Sequence, residues 1–542
     1  MTIIELHGEK CDIPLPTISL SRRKKIMPNV NLDALIRRED FEATGTYDSI
    51  AAMKPNISIT DLTSGFFYPF LRKPDFQRET SEWDMRQIVG FLQSFTDGDL
   101  IPSIILWRSK EGLFFVIDGA HRLSALIAWA NNDYGDGEIS EKFYEGNIPE
   151  DQKKIGVETR KIINREIGSY QAIVESSKKP DSEQRLRTKA SNIGVFGLTT
   201  QWVTGEASKA EDSFFKINAQ GEPLNPTEKK LLRSRKKGNC VASRAIIRGG
   251  KGHKFWSGFS AENQIKVQEI AQEINNILFT PALHTPIKSL ELPIAGKISA
   301  AQSLPLIFDF VNLVNQIPAD FATTEADDVA GEKTVRYLQK ARKIAWRINS
   351  IHPSSLGLHP AVYFYSIEGR HKPASFYAVT SWILEGEEGN VFREFIKVRS
   401  VFEDLLVAYD FLIQDIVRKF RQAIDSSTHI KNFYVRCLEF LAKGFNIDET
   451  VRQVIALKDF NYLKIDSISN ALIKKGDFTP ERKSAAYMGP ALESALRCKI
   501  CNARLPGRAT TIDHIVRKAD GGTGEIDNAQ LAHPYCNSTV KN

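Results

Sequence analysis

The spacing of apolar positions changes several times along the chain, and the changes divide it into segments. Residues 1–60 combine a basic run, Arg22-Arg23-Lys24-Lys25, with a helical pattern around 31–41, and read as an arm or a packing extension. From Phe67 an extended piece ends in Pro74-Asp75-Phe76-Gln77-Arg78. Trp83, Ile88, Phe91, Leu92 and Phe95 then recur at helical spacing until Asp97-Gly98-Asp99 stops the helix. The apolar run 101–107, a turn at 110–112 and a second run at 114–117 predict two strands. Asp118-Gly119-Ala120-His121-Arg122 then opens a helix through Trp129. Residues 131–155, rich in Gly, Asn and acids, read as a loop or insertion. Phe214 to Gly221 lead through Pro223-Leu224-Asn225 to a helix start at Thr227 and Glu228. Residues 256–475 are chiefly helical, as in EIAQEINNILF and FEDLLVAYDFLIQDIVRKFRQAI, with an acidic linker near 318–332. Residues 474–480 read as a hinge into a last domain.

Composition supports this division. A chain of 542 residues implies about three domains. With 42% hydrophobic and 25% charged residues it can build sizeable cores, which excludes wholesale disorder. No uncharged apolar run approaches the roughly 18 residues of a membrane span, and the start lacks a signal-like stretch. The expectation is an intracellular, cytoplasmic protein without a membrane span.

The net charge of +6 hides an uneven distribution. Residues 229–254 hold ten Lys or Arg and no acid; removing those ten from the 72 basic residues leaves 62 against 66 acidic. A surplus gathered in one place suits an anion-binding surface, with a solvated basic face as the alternative. Lys229, Lys230, Arg233, Arg235, Lys236 and Lys237 are the candidate DNA contacts. His253, Lys254 and Trp256 follow, and there packing competes with stacking on DNA.

Six cysteines in so long a chain do not make a disulfide framework. Cys11, Cys240 and Cys437 are scattered and read as reduced thiols. Cys498 and Cys501 form one C-x2-C knuckle, and His533 with Cys536 forms a second pair of the same spacing. Four such donors suit a closed tetrahedral zinc site that ties together a segment too short for much core. Between the knuckles lie groups suited to a hard cation and a phosphate. Asp513 offers an oxygen ligand, and His514, next along an extended strand, points to the opposite side as a neutral base. Asn537 can give a second oxygen to the ion, and Asn528 can tie the intervening loop. The order C-x2-C, Asp513-His514-Ile515, Gly521-Gly522, Asn528, then His533 to Asn537 resembles the HNH nuclease family. His533 stands where the family often has cysteine. The resemblance covers about 495–542 and implies a ββα-metal fold, Mg²⁺ or another divalent cation at the catalytic centre, structural Zn²⁺, and DNA as substrate.

Asp118 to Arg122, at a strand-to-helix junction, suits phosphate: glycine lets the backbone approach, helix amides favour anions, and Arg122 can pair bidentately. Together with Pro74 to Arg78, Trp83, Pro102 to Leu106, Ile117 to Leu123 and Phe215 to Leu224, it resembles the ParB/sulfiredoxin-like domain of GmrSD-type restriction proteins. Ala120 and His121 replace the more usual pair of glutamines, and Ala120 at the cysteine position excludes sulfiredoxin chemistry. The resemblance spans roughly 60–255. It implies nucleotide binding or hydrolysis coupled to sensing or cutting of modified DNA, with Asp118, Gly119, His121 and Arg122 at the site, aided by Gln77 and Arg78. A nucleoside triphosphate is the candidate ligand.

These readings predict a multidomain α+β protein. It comprises an extension (1–60), a ParB-like α/β domain (61–255), a mainly α-helical middle domain (256–475) and a C-terminal ββα-metal HNH domain with structural zinc (481–542). The expected function is metal-dependent nicking of DNA in prokaryotic anti-phage defence. Phage or modified DNA and other defence proteins encoded alongside are the expected partners. A non-defensive DNA-processing nuclease and a catalytically silent DNA-binding regulator are the competing readings.

Overall fold

The computed structural model describes residues 28–41, 53–63, 65–77, 79–146, 148–220, 226–298, 303–387, 390–465 and 477–541. Cys11, the basic run at 22–25, Arg78, the 221–225 turn and positions 474–476 lie outside them.

A six-stranded mixed sheet organises the N-terminal part. Its strands are β1 (Arg38–Glu39), β2 (Asn56–Ile57), β3 (Leu71–Pro74), β4 (Ile104–Arg108), β5 (Phe114–Asp118) and β6 (Leu198–Val203), in the order β1-β3-β5-β4-β6-β2. β3 runs parallel to β1 and β5, while β4 is antiparallel to β5 and parallel to β6. Because successive strand residues face opposite sides, β4 and β5 feed two cores. Ile104, Leu106 and Val116 pack under the helices Met85–Asp97 and Ala120–Asn131. Trp107, Phe115 and Ile117 meet Phe214 and Phe215 of Ala207–Gln220 on the other face. The helix predicted after Trp83 starts at an Asp84/Gln87 capping box and stops at Gly98, whose φ of +82° is left-handed.

Three expectations for this part are corrected. The 31–41 stretch is a short turn, Asp33–Leu35, followed by β1, and Val30, Leu32, Leu35, Ile36, Ile57 and Ile59 are buried in the sheet's core. The described part of the extension therefore belongs to the domain. The 131–155 insertion contains the helix Glu138–Phe143 and the start of Glu150–Glu166. Its polar residues act as ties: Asp133 accepts from the Gly135, Gly137 and Ser140 amides at 2.9–3.0 Å.

One continuous helical core follows, as the sequence pattern predicts. Gly238–Ile247, Ala261–Phe279, Ser303–Asn315 and Glu332–Ile348 pack on one another, and Pro373–Gly386, Val391–Ala408, Asp410–Phe420 and Ala423–Ala442 complete it. Gly238–Ile247 thus sits in the helical body, which moves the boundary expected at 255 to the turn before Gly238. The long run beginning at Phe402 is broken at Tyr409 and again at Arg421, where φ is +65°.

The basic window proves to be largely an internal joint. Arg235 pairs with Asp75 at 2.8 Å and Glu211 at 2.9 Å, and Arg248 reaches Glu79 at 2.7 Å and Asp33 at 3.2 Å. Asp33, buried, also holds Arg38 at 3.0 Å and Lys73 at 2.5 Å. Burial opposes its charge, yet Lys73, Arg38 and Arg248 keep its carboxyl well below the usual range. Burial pushes Lys73 down to about 8. Lys237 bonds the Glu325 carbonyl and pairs with Asp327, Lys230 bonds the Ala319 carbonyl and lies over the Phe321 ring, and Arg244 is buried against Phe255. The expected anion surface is corrected accordingly: its acids come from distant parts of the chain, which a local charge count cannot see. Lys229, Arg233 and Lys236 remain exposed.

The last segment is seated on the helical body. Met488 and Leu492 of the helix Pro480–Glu493, with Leu505, Ala532 and Tyr535, share its core. The amides of Ile287, Gly507 and Tyr535 bond Ser484 Oγ, Glu291 Oε1 and the Ser355 carbonyl at 3.0, 2.8 and 2.9 Å. The segment after the 474–480 stretch is thus docked on the helical body.

Buried imidazoles make the fold acid-sensitive, among them His359, which burial pushes down to about 4. Burial pushes His253, beside Asp40, and His371, against the Ile294 carbonyl, down to about 4. Between that value and the unfolded value of about 6.5, the unfolded chain binds the more protons, so stability is lost as pH falls through this window. Each group contributes on the order of 1 kcal/mol per pH unit. The melting temperature should decline steadily from pH 7 to 4.5; a constant value over that range would refute the assignment.

Candidate nuclease and nucleotide sites

The C-terminal site is a hairpin closed by a terminal turn. β7 (Thr511–His514) pairs antiparallel with β8 (Ala529–Ala532), and the π-helical turn Cys536–Val540 packs beside them, giving ββα order. The pleat separates neighbours: Asp513 is 7% exposed, while His514 is half-buried on the other side. Asn537 directs its amide nitrogen at Thr511 Oγ1 (3.4 Å) and the Ile512 carbonyl (3.5 Å), which brings it against β7 next to Asp513. Asn528 accepts from the Val516 amide at 2.7 Å and donates to the Val516 and Thr523 carbonyls at 3.1 and 2.7 Å, closing the loop between the strands. Gly522 is required there, since a Cβ would meet the Val516 oxygen at 1.8 Å.

Two side chains at this site escaped the sequence reading. Gln530 Nε2 and Lys541 Nζ both donate to Asp513 Oδ2, at 2.7 and 2.8 Å. Gln530 is directly opposite Asp513 in the β7–β8 register, and Lys541 follows Asn537 by four residues, one helical turn. The i+4 spacing was available as a signal; the register was not. No hydrogen bond to Asp513 Oδ1 is found among the described residues, so an oxygen lone pair remains for a cation.

Cys498, Cys501, His533 and Cys536 bring their ligand atoms within 4.8 Å of one another. His533 Nε2 lies 3.0 Å from the Arg504 carbonyl oxygen and must carry the proton, which leaves Nδ1 facing the thiols, 3.4 Å from Cys501 Sγ. Burial and Arg399 hold His533 below its ordinary pKa, so the ring is neutral. A neutral imidazole with three cysteines fits zinc. Gly357, at φ +57°, allows the approach: a Cβ would stand 2.8 Å from His533 Cδ2.

At the N-terminal site, β3 and β5 are parallel neighbours, so Gln77 and Asp118 to Arg122 come to the same edge of the sheet, outside the carboxyl ends of the strands. Gly119, at φ +93°, caps the helix Ala120–Asn131; a Cβ would meet Ile104 Cδ1 at 2.4 Å. Arg122 is bound to Asp118 Oδ2 at 2.7 Å and the Ser103 carbonyl at 3.3 Å, so pairing with phosphate requires an exchange of partners. His121 stacks on Trp83 with centroids 5.5 Å apart. Gln77 is buried, and its Oε1 accepts no hydrogen bond among the described residues.

Comparison with known families finds two matches, one in each terminal part of the chain. Residues 59–235 match the model of the GmrSD restriction endonuclease, N-terminal domain, and residues 498–542 match that of the HNH endonuclease. The chain thus joins a GmrSD-type domain to an HNH domain. It is a DNA endonuclease of the restriction type, a phosphodiester hydrolase whose substrate is DNA. No curated protein and no solved structure matches it. No helix among the described residues is long and apolar enough to cross a membrane.

Zinc at the Cys3His cluster should be structural. Freshly purified protein should carry one zinc per chain, and Cys498→Ser should lose it and make residues 481–542 protease-sensitive even in excess Mg²⁺. Protein that is free of zinc yet fully protease-resistant would contradict the assignment.

Proposed function

We propose that this restriction-type endonuclease nicks phage or modified DNA in prokaryotic defence, under the control of its N-terminal site. The observation that carries the nuclease reading is the convergence of Asp513 and Asn537 on one side of β7, with His514 projecting at the next position. In this reading His514 takes a proton from the attacking water, and the 3′ oxygen departs from phosphorus. Asp513 and Asn537 hold Mg²⁺ or a similar divalent ion, which when bound offsets the charge growing on phosphate. Asn528 keeps the loop, and so the strands, in register. A single such site cuts one strand.

For the N-terminal site we read a nucleoside triphosphate as the ligand, with Asp118, Gly119, His121, Arg122 and Gln77 around it. The support is the sheet-edge position, the glycine-capped helix start and the buried, unpartnered Gln77 oxygen. The loop carrying Gln77 also carries Asp75 and Glu79, which pair with Arg235 and Arg248. Arg248 caps the helix Gly238–Ile247, which packs on Ala261–Phe279; the carbonyls of Asn276 and Thr280 there accept from Arg508 in the nuclease segment. A change at the nucleotide site has a packed route to the HNH segment, in place of a swinging hinge. Lys229, Arg233 and Lys236 are the remaining DNA contacts, the site of action is the cytoplasm, and co-encoded defence proteins are the expected partners.

The test compares His514→Ala and Arg122→Ala with the parent in plasmid cleavage and phage challenge. His514→Ala should lose cleavage by a factor on the order of 10² to 10⁴ with zinc and melting temperature unchanged. Arg122→Ala should lose nucleotide response and protection while its folded state persists. Parental cleavage by His514→Ala would sink the nuclease assignment, and parental nucleotide response with full phage protection by Arg122→Ala would sink the control.

A further inference from the structure

Asp513 is gripped on one oxygen only. Gln530 Nε2 and Lys541 Nζ approach the same atom, Oδ2, from β8 and from the terminal turn, at 2.7 and 2.8 Å. A carboxylate oxygen has about two lone pairs, and two donors already reach this one. The carboxylate is 8% exposed at its side chain and Lys541 19%, so the contact is shielded rather than a loose surface pair. Lys541 is also the residue that caps the terminal turn carrying Asn537, so the clamp on one candidate ligand adjoins the element that carries the other.

We propose that Gln530 and Lys541 are positioning residues that make Asp513 a one-oxygen ligand, and so set which cation the nuclease site accepts. The inference rests on the reading of Asp513 as the ion's ligand. With Oδ2 saturated, only Oδ1 can turn to a cation. Such a ligand suits a small ion of strict octahedral geometry, such as Mg²⁺, whereas Ca²⁺ gains from carboxylates that bind through both oxygens. Release of Oδ2 opens that two-oxygen mode. The ammonium of Lys541 also repels any divalent cation near Asp513, but equally for Mg²⁺ and Ca²⁺. The ratio of the two affinities therefore isolates orientation from charge.

The experiment uses zinc-loaded full-length protein without DNA. Mn²⁺ bound to the protein is followed by electron paramagnetic resonance and displaced in turn by Mg²⁺ and by Ca²⁺. Asp513→Asn identifies which Mn²⁺ belongs to this site. Lys541→Met and Gln530→Leu should each shift the Mg²⁺:Ca²⁺ competition ratio toward Ca²⁺ by about tenfold, with zinc content and melting temperature unchanged. Lys541→Arg, which keeps a donor, should retain the parental ratio. An unchanged ratio in both Lys541→Met and Gln530→Leu overturns the clamp while leaving Asp513 as a ligand. Undiminished Mn²⁺ binding by Asp513→Asn overturns the ligand reading and the clamp with it.

Discussion

The buried pair of Arg399 and Glu403 is the constraint on which the nuclease end depends. Both side chains are fully buried, 2.8 Å apart on the helix Val391–Ala408. Arg399 donates to the Leu356 and Gly357 carbonyls at 2.5 and 2.8 Å, fixing the loop that lies against His533. Glu403 accepts from the Arg504 amide at 2.9 Å, and the Arg504 carbonyl in turn accepts the hydrogen bond of His533 Nε2–H. A pair so deep is costly to form, but removing one partner leaves an uncompensated charge, at about 3 to 5 kcal/mol. The Cys3His knuckles are thus braced by contacts from the helical body.

A second set of ion pairs, buried at Asp33 and Asp75, braces the other end. Arg235 and Arg248 bind Asp75, Glu79 and Asp33 of the sheet domain. The helical part therefore holds a charged joint to the GmrSD-type domain on one side and the HNH segment with its Cys3His cluster on the other. In such an arrangement a ligand can influence the nuclease through differential contacts in the joint, without disorder in a linker.

What was legible in the sequence was local. The knuckle spacings of Cys498–Cys501 and His533–Cys536 needed no tertiary knowledge, because their ligands lie three residues apart within each pair. The Asp513-His514 alternation followed from strand geometry, and the strand, turn, strand and helix from 101 to 129 followed from periodicity with a glycine at the junction. The failures are non-local. Residues 31–41 carry helical spacing, but Asp33 and Arg38 belong to a buried charge cluster with Lys73 that overrides local preference. The basic window looked like a surface because its acids lie up to 215 residues away. Gln530 could be matched to Asp513 only once the hairpin register was known.

The most direct test of the account is the chemistry of the cut. Zinc-loaded full-length protein is incubated with supercoiled plasmid carrying modified bases, with Mg²⁺ and a nucleoside triphosphate, and the ends at each break are mapped. Water activated by His514 with departure of the 3′ oxygen predicts open-circular product bearing 5′-phosphate and 3′-hydroxyl ends. Plasmid left intact under all these conditions, or breaks ending in 3′-phosphate and 5′-hydroxyl, would contradict it.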